Sequence, residues 1–212
     1  MKQKGILVVV SGFAGTGKGT VMKGLLAKYS DQYALSVSMT TRAPRPGERH
    51  GIEYFFSTKE DFEQKIAADG LIEYACYCDN YYGTPKDYVE EQLEAGKDVL
   101  LEIEIQGALQ VKEKLPETVL VFVLPPSAEE LYNRLKGRGT ETDEVIRKRM
   151  LRAIEESQGI EKYDYVLVND DVDTCVESLH HMLKSEKQRA SRNLLFIENI
   201  KNELVDLKKG EL

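Results

Sequence analysis

The stretch Gly5-Ile-Leu-Val-Val-Val10-Ser-Gly12-Phe-Ala-Gly15-Thr-Gly17-Lys18-Gly19-Thr20 decides how the rest of the chain is read. Its apolar run Ile6–Val10 is mostly β-branched, as expected of a strand covered on both faces in a parallel sheet. A glycine-rich turn follows, and Thr20–Ser30 then carries Val21, Leu25 and Leu26 at helical spacing. Between a strand and a helix, the pattern Gly12-x-x-x-x-Gly17-Lys18 is a phosphate cradle. Glycines let backbone N–H groups converge on an anion, and the helix N-terminus adds a favourable dipole. Lys18 brings a mobile charge to the β- and γ-phosphates. The expected donor set is Gly12, Phe13, Ala14, Gly15, Thr16, Gly17, Lys18, Gly19 and Thr20. The spacing of a dinucleotide fingerprint is not met. Gly19 stands where a hydroxyl ligand for magnesium is usual, and the hydroxyl comes one residue later at Thr20. Magnesium is therefore expected to rely on phosphates, water and acids farther out.

The same alternation recurs downstream. Asp98–Ile105 reads as a strand with a helix over Gln106–Leu115, and Val119–Leu124 is a fully apolar strand stopped by Pro125-Pro126. Ser127 with Glu130 three residues on is a capping-box signature for the next helix. Tyr165–Val168 reads as another strand, with a helix over Val172–Lys184. Alternating strands and helices imply an α/β fold, a mostly parallel central sheet flanked by helices. Residues 36–88, rich in Tyr and Phe, break the rhythm and read as an insertion with its own small β structure. Residues 134–157 read as a second, arginine-rich insertion, leaving 1–35, 89–133 and 158–212 as the core. In the tail, Leu194, Ile197, Ile200, Leu204 and Leu207 recur at helical spacing. This predicts an amphipathic helix packed on the chain's own core, with a contact between copies in a homo-oligomer as the alternative.

Composition narrows the function classes. The 212 residues are 42% apolar and 31% charged, with a net charge of −7. Such an acidic chain does not offer a general basic surface for nucleic acid. No run approaches a membrane span, and the short apolar run behind Lys2 and Lys4 ends in a glycine loop rather than a cleavage site. Three cysteines are no disulfide framework, so a reducing, cytoplasmic setting is expected. Cys76-Tyr-Cys78 has no second pair with zinc spacing and reads as ordinary strand cysteines.

Two features outside the cradle carry chemistry. Arg42 and Arg45 lie in a turn bounded by Pro and Gly, and planar guanidinium forks suit bidentate phosphate binding. Glu102 and Glu104 alternate along the predicted strand, so they share one face near its carboxyl end, where ligands bind in open α/β sheets.

The string Thr40-Thr41-Arg42-x-x-Arg45-x-Gly47-Glu48-x-x-Gly51-x-x-Tyr54 resembles the signature of the guanylate kinase family. So do Glu73, Asn80-Tyr-Tyr82-Gly-Thr84, Gly137-Arg138-Gly-Thr-Glu-Thr142 and Val168-Asn169-Asp-Asp171, and the resemblance covers about residues 5–185. It implies transfer of the γ-phosphoryl group of ATP to GMP, with Mg2+ as cofactor, in guanine nucleotide recycling. It implies that 36–88 binds GMP and that 134–157 is a mobile lid. Ser38, Glu73, Thr84 and Glu102 would face guanine, and Arg42, Arg45, Tyr54 and Tyr82 would hold the GMP phosphate. Lys18, Arg42, Arg138 and Arg149 would act on the transferring phosphates with Arg134 assisting, and Asn169 would lie at the ATP adenine. Glu104, where the family commonly has Asp, would meet the magnesium through water. Two alternatives differ in the pocket. A kinase for another acceptor would change Ser38, Glu73, Tyr82 or Thr84, and a non-catalytic interaction module would lose the loop lysine or lid arginines.

Overall fold

In the computed structural model, residues 4–77, 79–137 and 142–209 are described. Five strands form the central sheet: β1 (Leu7–Gly12), β2 (Tyr33–Leu35), β7 (Asp98–Glu102), β8 (Val119–Leu124) and β9 (Tyr165–Val168). Their order is β2-β7-β1-β8-β9, and every neighbouring pair is parallel. The unbroken apolar run of β1 follows from burial on both faces. Val8 and Val10 meet Val21, Met22 and Leu25 of α1 (Lys18–Lys28) and Val176, Leu179 and Leu183 of α7 (Val172–Lys187). Leu7 and Val9 meet Val89 of α3 (Lys86–Glu94) and Ala108 and Val111 of α4 (Ile105–Lys114). From β1 the chain goes first to the β2 side and later to the β8 side. The carboxyl end of β1 is therefore the topological switch point, where open α/β sheets bind ligands.

The insertion at 36–88 has its own four-stranded sheet, in the order β4-β3-β6-β5. Its strands are β3 (Met39–Thr40), β4 (Phe55–Phe56), β5 (Leu71–Tyr77) and β6 (Asn80–Pro85). The helix α2 (Lys59–Ala67) is capped by Thr58, whose side chain accepts from the Asp61 N–H. Its Phe62 is fully buried and stacks on Tyr81 with ring centroids 5.2 Å apart. Ile72 of β5 is buried in the core cluster of α4 and β7, which fastens the small sheet to the large one. A third apolar cluster joins Phe13 and Phe122 to Leu131 and Leu135 of α5 (Ala128–Gly137) and to Ile146 and Ala153 of α6 (Asp143–Ser157).

Four expectations are corrected. The strand expected through Ile105 ends at Glu102, because the Ile103 carbonyl accepts the Ser11 hydroxyl at 2.7 Å and the chain turns into α4. Glu104 is therefore the N-cap of α4 and not a strand residue alternating with Glu102. Only half of the predicted capping box closes. Ser127 Oγ accepts from the Glu130 N–H at 3.0 Å, but the Glu130 carboxylate accepts from Arg134 Nε at 2.7 Å instead of turning back. Finally, the tail helix α8 (Leu194–Lys209) forms but does not pack on its own core. Leu194, Leu195, Phe196, Leu204 and Leu207 are each more than half exposed. Among the described residues no helix is long and apolar enough to cross a membrane.

Candidate active site

The phosphate cradle takes its shape from backbone that only glycine adopts without strain. Gly15 and Gly17 have φ of 97° and 80°, and Gly17 is the N-cap from which α1 starts at Lys18, two residues earlier than the spacing predicts. A Cβ on Gly17 would lie 2.4 Å from Asn169 Nδ2, and one on Gly15 would lie 2.9 Å from Leu135. Thr16 is buried, and its hydroxyl is tied to the Phe13 carbonyl at 3.0 Å. The loop thus presents its backbone N–H groups and Lys18 to a cleft of about 610 Å³ lined by Gly12–Thr20, Glu102, Glu104, Arg149 and Arg152.

A second cleft opens beside the first. It is lined by Ser38, Tyr54, Thr84, Glu102 and Glu104, and Lys18 lies in both. Lys18 Nζ sits 3.3 Å from Glu102 Oε1, with its side chain mostly buried. Glu104 is paired with Arg152 of α6, which also holds Glu156 at 2.9 Å. Each acid at the junction is therefore neutralised by a cation of the site. Glu102 and Glu104 converge through a turn rather than a shared strand face.

Beneath the second cleft, Glu73 is nearly buried and accepts from the Thr84 hydroxyl at 2.7 Å. The β5–β6 pairing places these two residues side by side, and Ile72 and Glu73 point to opposite faces of β5. Burial pushes the Glu73 carboxyl up, against the opposing pull of Thr84 and Lys114. Such a group is poised to accept from paired N–H donors, since a desolvated carboxylate gains most from them.

Arg42 is held from several sides. Its Nη2 lies 2.9 Å from both Glu48 oxygens, its Nη1 donates to the Ala43 carbonyl at 2.7 Å, and its guanidinium lies over the Tyr54 ring at 5.4 Å. Tyr82 closes the group, with its ring 6.0 Å from that of Tyr54. Glu48 also accepts from the Arg45 N–H at 2.8 Å, so one carboxylate fixes both the turn and its arginine. The Arg42 and Arg45 contacts hold Glu48 below the usual carboxylate range. The Arg45 residue itself is exposed.

The remaining residues fall into two groups. Asn169 is buried behind the loop, where its Nδ2 donates to the Thr16 carbonyl at 2.7 Å. Its Oδ1 has no hydrogen-bond partner among the described residues. Arg134 Nη1 donates to the Asn169 carbonyl at 2.9 Å, so both residues buttress the cradle. Arg149 lines the first cleft with Arg152 from one face of α6. Arg138 lies outside the described residues. Sequence reasoning gave no role to Glu48 or Arg152. Glu48 sits inside the quoted arginine turn, and its spacing from Arg42 was a usable signal. Arg152 looked like one more charge on a helix, and nothing local marked its pairing with Glu104.

Among the described residues no three His, Cys, Asp or Glu side chains are grouped to cage a metal. Two carboxylates and the Thr20 hydroxyl near a phosphate cradle instead fit a hard cation that arrives with its phosphates and keeps its waters.

A parallel α/β core with a phosphate loop at its switch point, and a second cleft sharing the loop lysine, defines a nucleotide phosphotransferase. The profile of the family described as guanylate kinase matches residues 4–186. The guanylate kinase of Clostridioides difficile is 53% identical over 203 residues, 95% of this chain and 98% of its own. That of Bacillus subtilis is 48% identical over 91% of this chain and 94% of its own. The crystal structure of guanylate kinase from Anaplasma phagocytophilum superposes with a TM-score of 0.69 at 32% identity, over 91% of both chains. The chain belongs to the guanylate kinase family, the ATP:GMP phosphotransferases.

Proposed function

We propose that the chain passes the γ-phosphoryl group of ATP in line to GMP, with ATP in the loop cleft and GMP over the small sheet. The observation that carries this reading is that Lys18, Glu102 and Glu104 line both clefts, so donor and acceptor phosphates meet at one lysine. Residues 36–88 act as the GMP-binding domain, 134–157 as the lid and the remainder as the core. Glu73 accepts from guanine N1–H and the exocyclic amine, with Thr84 and Ser38 beside it. Adenine offers neither donor and would leave the carboxylate desolvated and unpaired, a cost of several kcal/mol. Arg42, Arg45, Tyr54 and Tyr82 hold the acceptor phosphate. Being largely ionised at neutral pH, that phosphate needs no side-chain base.

The remaining work is to bring two anions together and meet the charge on the transferring group. Lys18 and Arg149 supply it from the loop and the lid, with Arg138 in the same role. Arg134 and Asn169 hold the cradle that carries Lys18. Mg2+, held by phosphates and water with Glu104 and Glu102 outside, would neutralise the phosphate oxygens. A carboxylate pair that loses Lys18 and Arg152 to incoming phosphates is left with charge for that cation to meet. Closure of lid and acceptor sheet excludes water and limits ATP hydrolysis. The bacterial relatives and the low cysteine content favour a cytoplasmic setting, with small nucleotides and not nucleic acid as partners.

The test is ADP formation from ATP and Mg2+ with GMP, dGMP, IMP, AMP, CMP and UMP as separate acceptors. GMP and dGMP should turn over strongly, IMP less because it lacks the amine, and AMP hardly at all. Equal turnover of GMP and AMP would sink the base-reading role of Glu73.

A further inference from the structure

The helix α8 presents large apolar side chains to water along its length: Leu194, Leu195, Phe196, Leu204, Val205 and Leu207 are each 50–67% exposed. A 16-residue helix without a packed face is marginal in water, where about 12–15 residues are needed even for good helix formers. Its root is nevertheless firmly built. Arg192 donates to the Glu117 carbonyl at 2.7 Å and lies 3.5 Å from the buried Glu186. Glu186 is also met by Arg189 at 2.8 Å and by the Tyr165 hydroxyl at 3.1 Å. Asn193 Nδ2 donates to the carbonyls of Lys187 and Arg189. Fixed in this way, α8 leaves the body as an arm. Glu117 and Tyr165 lie at the amino-terminal edge of the central sheet, opposite the edge that carries the phosphate loop.

The spacing along the arm says what covers it. Ile197, Ile200, Leu204 and Leu207 follow the 3-4-3 spacing of a coiled-coil seam. Lys201 and Lys208 flank the seam on one side, Phe196 and Glu203 on the other. With two arms parallel, Glu203 of each copy faces Lys208 of the other, and Phe196 faces the stem of Lys201. With the arms antiparallel, Lys201 and Lys208 would crowd together and Glu203 would meet Glu203. We propose that α8 is a self-association arm that pairs parallel with the α8 of a second copy. The seam and its flanks bury about 1,000 Å², the low end for a specific interface, so the dimer forms at micromolar concentration. Both phosphate-loop clefts stay open, because the arm roots at the opposite edge.

The experiment is sedimentation of the full chain from 1 to 100 μM, beside Leu204→Glu, Glu203→Lys and the double variant Glu203→Lys/Lys208→Glu. The mass should rise from 24.0 kDa toward twice that value. Leu204→Glu should remain monomeric at 100 μM with turnover per subunit unchanged, since its side chain is exposed and far from the site in sequence and fold. Glu203→Lys should weaken the dimer about tenfold, and the double variant should recover most of the loss. A monomeric native chain at 100 μM, or a dimer that survives Leu204→Glu, would overturn the arm. A Glu203→Lys variant that dimerises as well as the native chain would overturn the parallel pairing. None of these mass readouts depends on whether GMP is the acceptor.

Discussion

The two clefts that meet at Lys18 are made in opposite ways. The loop cleft is built of backbone. Gly15 and Gly17 hold conformations that open N–H groups to an anion, and buried Thr16, Asn169 and Arg134 brace them from behind. The acceptor cleft is built of side chains from separate strands and turns, with Arg42 suspended between Glu48 and Tyr54 and Glu73 beside Thr84. A backbone cradle binds any phosphate tail and says nothing of the base. A cleft of side chains can demand one base, because each mismatch leaves a desolvated group unpaired. Affinity for the triphosphate and choice of acceptor should therefore separate under mutation.

The sharpest way to break that division is Lys18→Ala, because Lys18 serves both clefts. Turnover should fall about 100-fold, the scale for loss of a group that stabilises transferring charge. The melting temperature should stay within a degree or two, since the only printed partner of Lys18 is the half-exposed Glu102. Native-like turnover would remove Lys18 from the chemistry. Next in size is Glu73→Gln. It should cut kcat/KM for GMP by roughly tenfold to 100-fold and leave the KM for ATP within twofold. Equal losses for both nucleotides would erase the distinction between a base-blind cradle and a base-reading pocket.

The same contrast explains what could be read from the sequence. The run Ile6–Val10 and the glycines after it are contiguous, so strand, switch point and cradle were legible from a few residues. Glu73 and Thr84 are eleven positions apart, and only antiparallel pairing of β5 with β6 sets them side by side. Spacing alone marks no such pair, and a family resemblance had to supply it. Glu102 and Glu104 show the opposite failure. Alternation placed both on one strand face, but the Ser11 hydroxyl captures the Ile103 carbonyl and starts α4. Local pattern cannot foresee a bond between residues 92 positions apart. The tail helix was read correctly as a helix and wrongly as packed on its own core, because an apolar stripe states that something must cover it and not what.

A smaller effect is expected at Glu48, which holds Arg42 and the Arg45 N–H together. Glu48→Ala frees a guanidinium charge but loosens the turn that aims it. The loss of aim should win, because Arg42 is useful only when its fork meets phosphate edge-on. The KM for GMP should rise about threefold to tenfold with kcat changed less. A fall in KM would mean that Glu48 competes with the phosphate rather than positioning its ligand.

The smallest effect is on stability, and it runs against function. Burial raises the Glu73 carboxyl, so the folded chain holds that proton more tightly than the unfolded one. The stabilising contribution is complete below the ordinary glutamate value of 4.5 and is lost as pH rises through the higher folded value. At neutral pH the ligand-free protein carries a charge in a place that disfavours it. Glu73→Gln removes the titration and keeps an acceptor for the Thr84 hydroxyl. It should therefore melt with the native chain near pH 4 and above it at pH 7. The gap should be on the order of 1 kcal/mol, or about 2–4 °C for a chain of this length. Adding GMP should reverse the order, because only the carboxylate pairs with both guanine donors. Parallel melting curves across that pH range would mean that Glu73 is solvated in the empty pocket. Its preference for guanine would then have to come from geometry rather than from a desolvated charge waiting for its partner.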